Sequence, residues 1–245
     1  MLFDAHFHII DPAFPLQENQ GFFPEPFTTK DYAKWMKKLG IQGGAIVSGS
    51  FQGFDTTYLE SALKTLGPQF VGVIQAPHSI SDLEIIRLYT LGVRAVRFNM
   101  KRGGSETLDH LETFAQRIYD LTRWHVELYI DSSELTPLMP RLKNLPAVSI
   151  DHLGLSNRGL PALLELAAKG GKIKASGFGR VDFEVLPALK KIYAENPDSL
   201  LFGTDLPSTR AKRPFSREDL TLIQENFSQE EAEKILWKNA LEFYS

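Results

Sequence analysis

Short apolar segments with strand-like patterning alternate along the chain with segments whose apolar residues repeat at helical spacing. The strand-like segments are Leu2–Ile9, Gly44–Ser48, Phe70–Gln75, Val93–Asn99, Val126–Asp131, Ala147–His152, Lys172–Ser176 and Leu200–Asp205. The helical patterns are Lys30–Leu39, Thr57–Leu66, Ser81–Tyr89, Leu108–Arg123, Leu135–Leu142, Leu160–Lys169, Val185–Asn196, Arg217–Phe227 and Gln229–Leu241. Such alternation predicts parallel strands joined by crossover helices, and eight units in 245 residues match the size of a TIM barrel.

The expected fold is therefore α/β, a (β/α)8 TIM barrel formed as one domain by residues 1–245. A doubly wound open sheet is the competing architecture, but no strand is followed by the glycine-rich phosphate fingerprint often found there. Some distortion of the barrel is expected because long loops interrupt the regular spacing at Asp11–Thr29, Lys101–Thr107 and Pro207–Ser216. In a barrel these loops lie over the carboxyl-terminal mouth, either as a lid or substrate rim or as ordinary solvated loops.

The composition excludes several classes of function. The net charge is −3, so no overall basic excess favours nucleic acid or anionic lipid as a partner. The chain has no cysteine, which excludes disulfides and zinc–thiolate sites and leaves histidine and carboxylate as the strong metal ligands. No signal-like segment or apolar run of about 20 residues is present. We therefore expect a soluble, cytoplasmic protein whose partner is a small-molecule substrate, and the sequence predicts no particular oligomeric state.

The first strand carries two histidines one residue apart, His6 and His8. Side chains alternate faces along a strand, so both imidazoles are expected on one face, with Phe3, Ala5 and Phe7 on the other. Two imidazoles directed at one point suit a shared cation or a shared substrate oxygen. An isolated pair of this kind can also be incidental, so its meaning depends on what the other strands supply.

Polar residues recur at the carboxyl ends of the later strands, although a buried parallel strand should be apolar throughout. They are Arg97 and Asn99, Tyr129 and Asp131, Asp151 and His152, Ser176, and Asp205. Unpaired polar groups are costly to bury, and a guanidinium such as that of Arg97 is costly unless it meets an anion. Convergence on one polar site at the barrel mouth would explain the pattern.

Five segments in the same order along the chain together resemble the amidohydrolase superfamily (amidohydrolase family 2), and within it the branch of sugar lactonases and 2-pyrone-4,6-dicarboxylate lactonases. The segments are Asp4-Ala5-His6-Phe7-His8, Gly92-Val93-Arg94-Ala95-Val96-Arg97-Phe98-Asn99, Ile150-Asp151-His152-Leu153-Gly154, Lys174-Ala175-Ser176-Gly177 and Phe202-Gly203-Thr204-Asp205-Leu206-Pro207. The resemblance implies that His6, His8, His152 and Asp205 surround a scissile carbonyl. It makes Asp205 the general base, while the histidines stabilise the oxyanion or protonate the leaving alkoxide.

The resemblance also implies substrate contacts. Arg97 occupies a position where the lactonase branch binds a substrate carboxylate or oxygen, and Tyr129 one where a tyrosine lies against the substrate. Asn99, Ser48 and Arg180 are further candidate substrate-binding residues on weaker grounds, because each also suits an ordinary structural role.

The chain departs from metal-dependent members of the superfamily at two strands. These members have a histidine on the fifth strand, where this chain has Tyr129, and dinuclear members have a bridging lysine on the fourth, where it has Arg97 and Asn99. A dinuclear site is therefore not expected. One divalent ion, zinc or manganese, held by His6, His8 and Asp205 is one alternative. Catalysis without metal is the other, and the sequence leaves both open.

The predicted function is a hydrolase, a lactonase that opens a small anionic lactone derived from a sugar acid or an aromatic breakdown product. Water deprotonated by Asp205 attacks a carbonyl that the histidines or a single ion polarise. The alternative is a metal-dependent decarboxylase of an aromatic carboxylic acid, which the missing fifth-strand histidine disfavours. A binding protein without catalysis is a third possibility, but it gives no reason for four costly polar groups at one site.

Overall fold

The computed structural model describes residues 1–245 and contains one eight-stranded sheet whose strands lie in chain order. The strands are β1 (Phe3–Phe7), β2 (Gly43–Val47), β3 (Phe70–Ile74), β4 (Val93–Asn99), β5 (His125–Tyr129), β6 (Val148–Ile150), β7 (Lys172–Ala175) and β8 (Leu200–Phe202). Every pair of neighbours from β1 to β8 is parallel. The predicted (β/α)8 architecture is confirmed.

The barrel closes just beyond the carboxyl ends of its first and last strands. Phe7 and Leu206 form a parallel bridge there. The Asp205 N–H donates to the His6 carbonyl at 2.7 Å, and the His8 N–H donates to the Leu206 carbonyl at 2.7 Å. The hydrogen bonds that complete the barrel therefore also set the relative positions of His6, His8 and Asp205.

Helices alternate with the strands. They are α1 (Thr29–Leu39), α2 (Thr57–Leu66), α3 (Asp82–Thr90), α4 (Leu111–Thr122), α5 (Met139–Leu142), α6 (Leu160–Ala168), α7 (Val185–Glu195), α8 (Arg217–Asn226), α9 (Gln229–Glu233) and α10 (Asn239–Phe243). Local signals fix several ends: Ser81 accepts a hydrogen bond from the Glu84 N–H at the start of α3, and Gly40 ends α1 in the left-handed conformation. None of these helices has the length and apolar character that a membrane span requires.

Three of the predicted α-helices are interrupted by 3-10 or π-helical segments, which their periodicity does not indicate. The pattern Leu135–Leu142 becomes a 3-10 turn followed by the single turn α5, because Pro137 and Pro140 each lack a backbone N–H. The pattern Leu108–Arg123 begins as a 3-10 turn before α4. A π-helical segment, Lys234–Lys238, joins α9 to α10 within the third pattern.

The expected distortion of the barrel occurs in β1. Its pairing with β2 shifts register between Asp4 and Phe7. Phe7 stacks on Tyr32 of α1 at a ring separation of 3.7 Å, whereas Phe3 and Ala5 pack with Tyr244 in a second, smaller apolar cluster. The simple alternation predicted for Phe3, Ala5 and Phe7 is therefore wrong, because the irregularity resets the facing of the strand.

The smaller apolar cluster fills the end of the barrel away from the mouth. Small side chains on neighbouring strands leave room there for the ring of Tyr244, which follows α10. The Tyr244 hydroxyl donates to Glu127 at 2.6 Å and lies 3.3 Å from the Ala5 carbonyl. The barrel thus has a floor built largely by one aromatic side chain.

The three long loops meet above the mouth. The Asn19 amide donates to the Arg102 carbonyl at 3.0 Å, and Arg210 donates to the Asn19 carbonyl at 3.2 Å. Arg210 also donates to the Ser50 hydroxyl at 3.0 Å. Side chains from separate loops therefore connect across the opening.

Candidate active site

A small polar cavity opens at the carboxyl ends of the strands, and its non-atom space, including the open mouth, is about 320 Å³. It is lined by His8, Gly49, Ser50, Phe51, Arg97, Asn99, Arg102, Tyr129, His152, Arg180, Thr209 and Arg210. A narrow cavity with several convergent polar groups suits a small molecule. Most of the predicted substrate-binding residues lie on its wall, and Ser48 does not.

The four predicted catalytic residues lie together at this cavity. The His8 Nε2 and the His152 Nε2 are each 3.8 Å from the Asp205 Oδ1. The ring of His6 lies 5.1 Å from that of His8 and 4.6 Å from that of His152. One carboxylate oxygen therefore faces a group of imidazoles, as the alternation of strands and polar strand ends predicts.

The orientation of two of these rings is set by neighbours outside the cavity. The His8 Nδ1 is 2.7 Å from the Val47 carbonyl, which can only accept, so this nitrogen carries a proton, and Nε2 lies 3.8 Å from the Asp205 Oδ1. The His152 Nδ1 pairs with the Ser176 hydroxyl at 2.9 Å. Burial lowers the pKa of His152 to about 3, so this ring is neutral near neutral pH.

The turn after β8 presents Asp205 as an anion with one free oxygen. Its backbone is left-handed, with φ of 59°, and Arg180 donates from Nε to Oδ2 at 2.6 Å. The Oδ1 atom is buried without a hydrogen-bond partner. Burial favours the neutral acid, but the charge of Arg180 outweighs it and holds the pKa of Asp205 well below its usual range.

Two of the predicted substrate-binding residues have protein partners instead of a free polar group. Arg97 donates to Asp151 Oδ2 from two nitrogens, at 3.0 and 2.8 Å, and to the Ser48 carbonyl at 2.9 Å. The anion that Arg97 requires is therefore Asp151. The Ser48 hydroxyl pairs with that of Tyr58 at 2.8 Å, which accounts for its absence from the cavity wall.

Sequence reasoning missed a buried ion pair beneath the cavity. Lys174 on β7 donates from Nζ to Glu127 on β5 at 2.5 Å, and neither side chain is exposed. Burial opposes ionisation of Glu127, but the Lys174 charge outweighs it and lowers the pKa of Glu127 to about 2. The available signal was a charged residue between two apolar ones in each strand, Glu127 in β5 and Lys174 in β7.

Two cavity arginines have no carboxylate among their hydrogen-bond partners. Arg210 donates only to the Asn19 carbonyl, the Asn19 side-chain oxygen and the Ser50 hydroxyl, at 3.2, 3.1 and 3.0 Å. The Arg102 guanidinium makes no hydrogen bond within the protein, although its carbonyl accepts two. The outer wall of the cavity is therefore positively charged and available to an anion.

Distances alone would permit a metal ion at this site. The ligand atoms of His6, His8 and Asp205 lie within 4.8 Å of one another, and His6 Nε2 and Asp205 Oδ1 are buried without partners. The local charges do not fit such an ion, because the Asp205 carboxylate is already neutralised by Arg180 at 2.6 Å.

Two further buried carboxylates near the cluster are also paired with cations. Asp151 pairs with Arg97 at 2.8 Å, and Glu127 pairs with Lys174 at 2.5 Å. A divalent ion would therefore add two uncompensated charges to a buried site, which is costly. The ligand atoms of the candidate cluster have the spacing that an ion needs, but the site lacks the net negative charge that would offset a divalent ion.

Comparison with known proteins places the chain among hydrolases. The family model described as Amidohydrolase matches residues 3–245. The 2-pyrone-4,6-dicarboxylate hydrolase of Comamonas testosteroni is 29% identical over 237 residues, covering 85% of this chain and 77% of that protein. A 4-sulfomuconolactone hydrolase of Rhizobium radiobacter is 27% identical over 225 residues, covering 83% of this chain and 75% of that protein.

Solved structures share the fold. An Acinetobacter baumannii protein, described as a probable 2-pyrone-4,6-dicarboxylic acid hydrolase with citric acid bound, superposes with a TM-score of 0.85 at 23% identity, covering 99% of this chain and 98% of that one. An Agrobacterium tumefaciens protein superposes with a TM-score of 0.87 at 20% identity, covering 99% and 95%.

The buried neutral His152 predicts a pH dependence of stability. Its folded pKa of about 3 is below its ordinary value of 6.5, so the unfolded chain binds the proton more readily between these values. Stability is complete above pH 6.5 and is lost as the pH falls towards 3. His152→Gln should flatten the pH dependence of the free energy of unfolding by up to about 1.4 kcal/mol per pH unit in this window. Urea denaturation at several pH values measures this; equal slopes for both proteins would contradict it.

Proposed function

The chain belongs to the amidohydrolase family, and we propose that its reaction is the hydrolysis of a small anionic lactone. The observation that carries the proposal is the ionised Asp205, whose free Oδ1 lies 3.8 Å from the Nε2 atoms of His8 and His152. A carboxylate with one oxygen anchored and one free can take a proton from water beside a carbonyl. Relatives that hydrolyse a pyrone or a muconolactone support a lactone as the substrate.

The proposed reaction uses groups of the chain alone. Asp205 Oδ1 takes a proton from water as the water oxygen bonds to the lactone carbonyl carbon, and the neighbouring imidazoles stabilise the oxyanion. The bond from that carbon to the ring oxygen then breaks, and the ring oxygen receives the proton held by Asp205. The products are a hydroxyl group and a carboxylic acid, which releases its proton to solvent near neutral pH.

Arg180 affects Asp205 in two ways, by fixing its carboxylate and by lowering its basicity. It holds Asp205 in place and ionised, but the low pKa that results makes the carboxylate a weak proton acceptor. Arg180 also lines the cavity, where an acid group of a substrate can bind it. Such binding draws the guanidinium away from Asp205 and strengthens the base once the substrate is present.

An anionic substrate also follows from the outer cavity wall. Arg102 and Arg210 lie on that wall and have only neutral acceptors or none as side-chain partners. A guanidinium binds a carboxylate or sulfonate through charge-assisted hydrogen bonds, which are stronger than bonds to neutral acceptors. We assign these two arginines to an acid group on the substrate, with Asn99 and Tyr129 beside it.

We propose that hydrolysis proceeds without a metal ion. Arg180, Arg97 and Lys174 already supply the positive charge that Asp205, Asp151 and Glu127 need. The decarboxylase alternative requires an ion at the same place, and the characterised relatives are hydrolases, so no specific observation favours it.

Removal of the base tests the reaction. Asp205→Asn keeps the shape of the side chain but removes its charge, so hydrolysis should fall by about 100- to 10,000-fold. Proton release from a panel of sugar and muconic-type lactones measures hydrolysis, and carbon dioxide release from aromatic carboxylates is followed in parallel. Asp198→Asn, at an exposed carboxylate, is the matched control. Carbon dioxide without proton release would overturn the lactonase proposal.

The two free arginines predict a preference for acidic lactones. Arg210→Gln and Arg102→Gln should each lower kcat/KM for a dicarboxylated lactone by about 10- to 100-fold, the value of a charge-assisted hydrogen bond. The loss should be much smaller for an uncharged lactone of the same ring. Arg158→Gln, at an exposed arginine outside the cavity, controls for net charge. Equal losses with both substrates would argue against an acid-binding role.

Chelation tests the independence from metal. The purified enzyme is treated with a strong chelator, its metal content is measured by elemental analysis, and its activity is followed at each step. Activity should be unchanged in metal-free protein, because no step of the proposed reaction uses an ion. Loss of activity that only zinc or manganese restores would show that the carboxylate–cation pairs rearrange around an ion.

A further inference from the structure

The proposed reaction leaves unexplained a lysine that lies beside the first histidine. Lys174 is fully buried, and its Nζ is 3.4 Å from the Nδ1 of His6. A lysine beside an imidazole, far from solvent, is an uncommon and costly arrangement. Its partner Glu127 at 2.5 Å accounts for its charge but not for its position against His6.

Two groups compete for the His6 Nδ1. Asp151 Oδ1 lies 3.4 Å away and would accept a proton from it, whereas Lys174 can only donate to it. At this distance Asp151 Oδ1 makes no hydrogen bond to the ring and is left without a partner. Lys174 is the hydrogen-bond partner of Nδ1, which must then be the acceptor.

A neutral imidazole has one proton, so an accepting Nδ1 places that proton on Nε2. The Lys174 ammonium beside Nδ1 can only donate, so that nitrogen carries no proton and the ring is neutral. The His6 Nε2 is itself buried without a partner within the protein. The ring therefore has an N–H group free to donate to the reacting centre.

We infer that Lys174 is a positioning residue that holds His6 as the Nε2–H tautomer and so makes this ring a hydrogen-bond donor to the oxyanion. The tautomer follows from the contacts described above. The role at the oxyanion rests on the proposed lactone hydrolysis.

The surroundings of Lys174 prevent it from turning away. Glu127 on β5 holds its Nζ and is itself held by the Tyr244 hydroxyl at 2.6 Å and the His125 Nε2 at 3.2 Å. Asp151, after β6, lies 3.7 Å from the same Nζ. Charged and titratable groups from several sides thus fix the ammonium opposite His6.

The two histidines of the first strand are held differently at Nδ1. His8 donates from Nδ1 to the Val47 carbonyl, whereas His6 accepts at Nδ1 from Lys174. Their ring centres are 5.1 Å apart. An Nε2–H group on His6 suits a developing oxyanion, and that nitrogen then offers no lone pair to a cation.

Nitrogen-15 NMR of histidine-labelled protein tests the tautomer directly, because protonated and unprotonated ring nitrogens have distinct shifts. The His6 signals are identified by their loss in His6→Gln. The native protein should show protonated Nε2 and unprotonated Nδ1 at His6. In Lys174→Met the proton should move to Nδ1, where Asp151 accepts it. Lys174→Arg, which keeps a donor, should retain the native tautomer.

Kinetics of the same variants test the positioning role. Loss of one oxyanion donor should lower kcat of Lys174→Met by about 100-fold with little change in KM, and Lys174→Arg should recover part of it. Lys172→Met, on the same strand with its ammonium directed to the Asp198 carbonyl, should change neither tautomer nor kcat. If unpaired Glu127 prevents folding of Lys174→Met, the double variant Lys174→Met, Glu127→Gln removes the uncompensated charge.

A native His6 protonated on Nδ1, or a tautomer unchanged in folded Lys174→Met, would overturn the inference. An Nε2–H tautomer that depends on Lys174, in a protein that hydrolyses none of the lactones, would support the tautomer and overturn the proposed function instead.

Discussion

Compensation of buried charge is the constraint on which the interior of this barrel depends. Asp205, Asp151 and Glu127 are buried carboxylates, and each meets a cation from another part of the chain within 2.8 Å. Glu127 and Lys174 connect β5 to β7, and Arg97 connects β4 to the turn after β6. Loss of one partner would leave an unpaired buried charge, a cost of about 3–5 kcal/mol. The same pairs orient the cavity, so stability and site geometry have a common origin.

The residues at the reacting centre also depend on backbone conformations that few side chains adopt. Asp205 and His152 have positive φ values, 59° and 53°. Such conformations cost about 1–3 kcal/mol each and persist where the surroundings determine them. At Asp205 the surroundings are the closure bond to the His6 carbonyl and the clamp from Asp4, which accepts from the Thr204 N–H and hydroxyl at 2.7 Å each. The closing edge of the barrel therefore holds the proposed base in place.

Much of this arrangement could be predicted from the sequence. Alternating patterns indicate a parallel barrel, and parallel strands bring their carboxyl ends to one edge, so the proximity of His6, His152 and Asp205 follows without coordinates. Their catalytic roles stay predictions.

The remainder depends on information that local patterns do not contain. The pairing of Glu127 with Lys174 requires the register across β5, β6 and β7, and the bond from Arg180 to Asp205 requires the path of an irregular loop. Ser48 faces Tyr58 instead of the cavity, which is a rotamer choice set by packing.

Tyr244 fills the end of the barrel away from the mouth, so the cavity is open only at the mouth. Water, lactone and opened acid must then exchange through the arginine-lined mouth. Because hydrolysis of a lactone adds a negative charge, the arginines of the mouth attract the opened acid more strongly than the lactone.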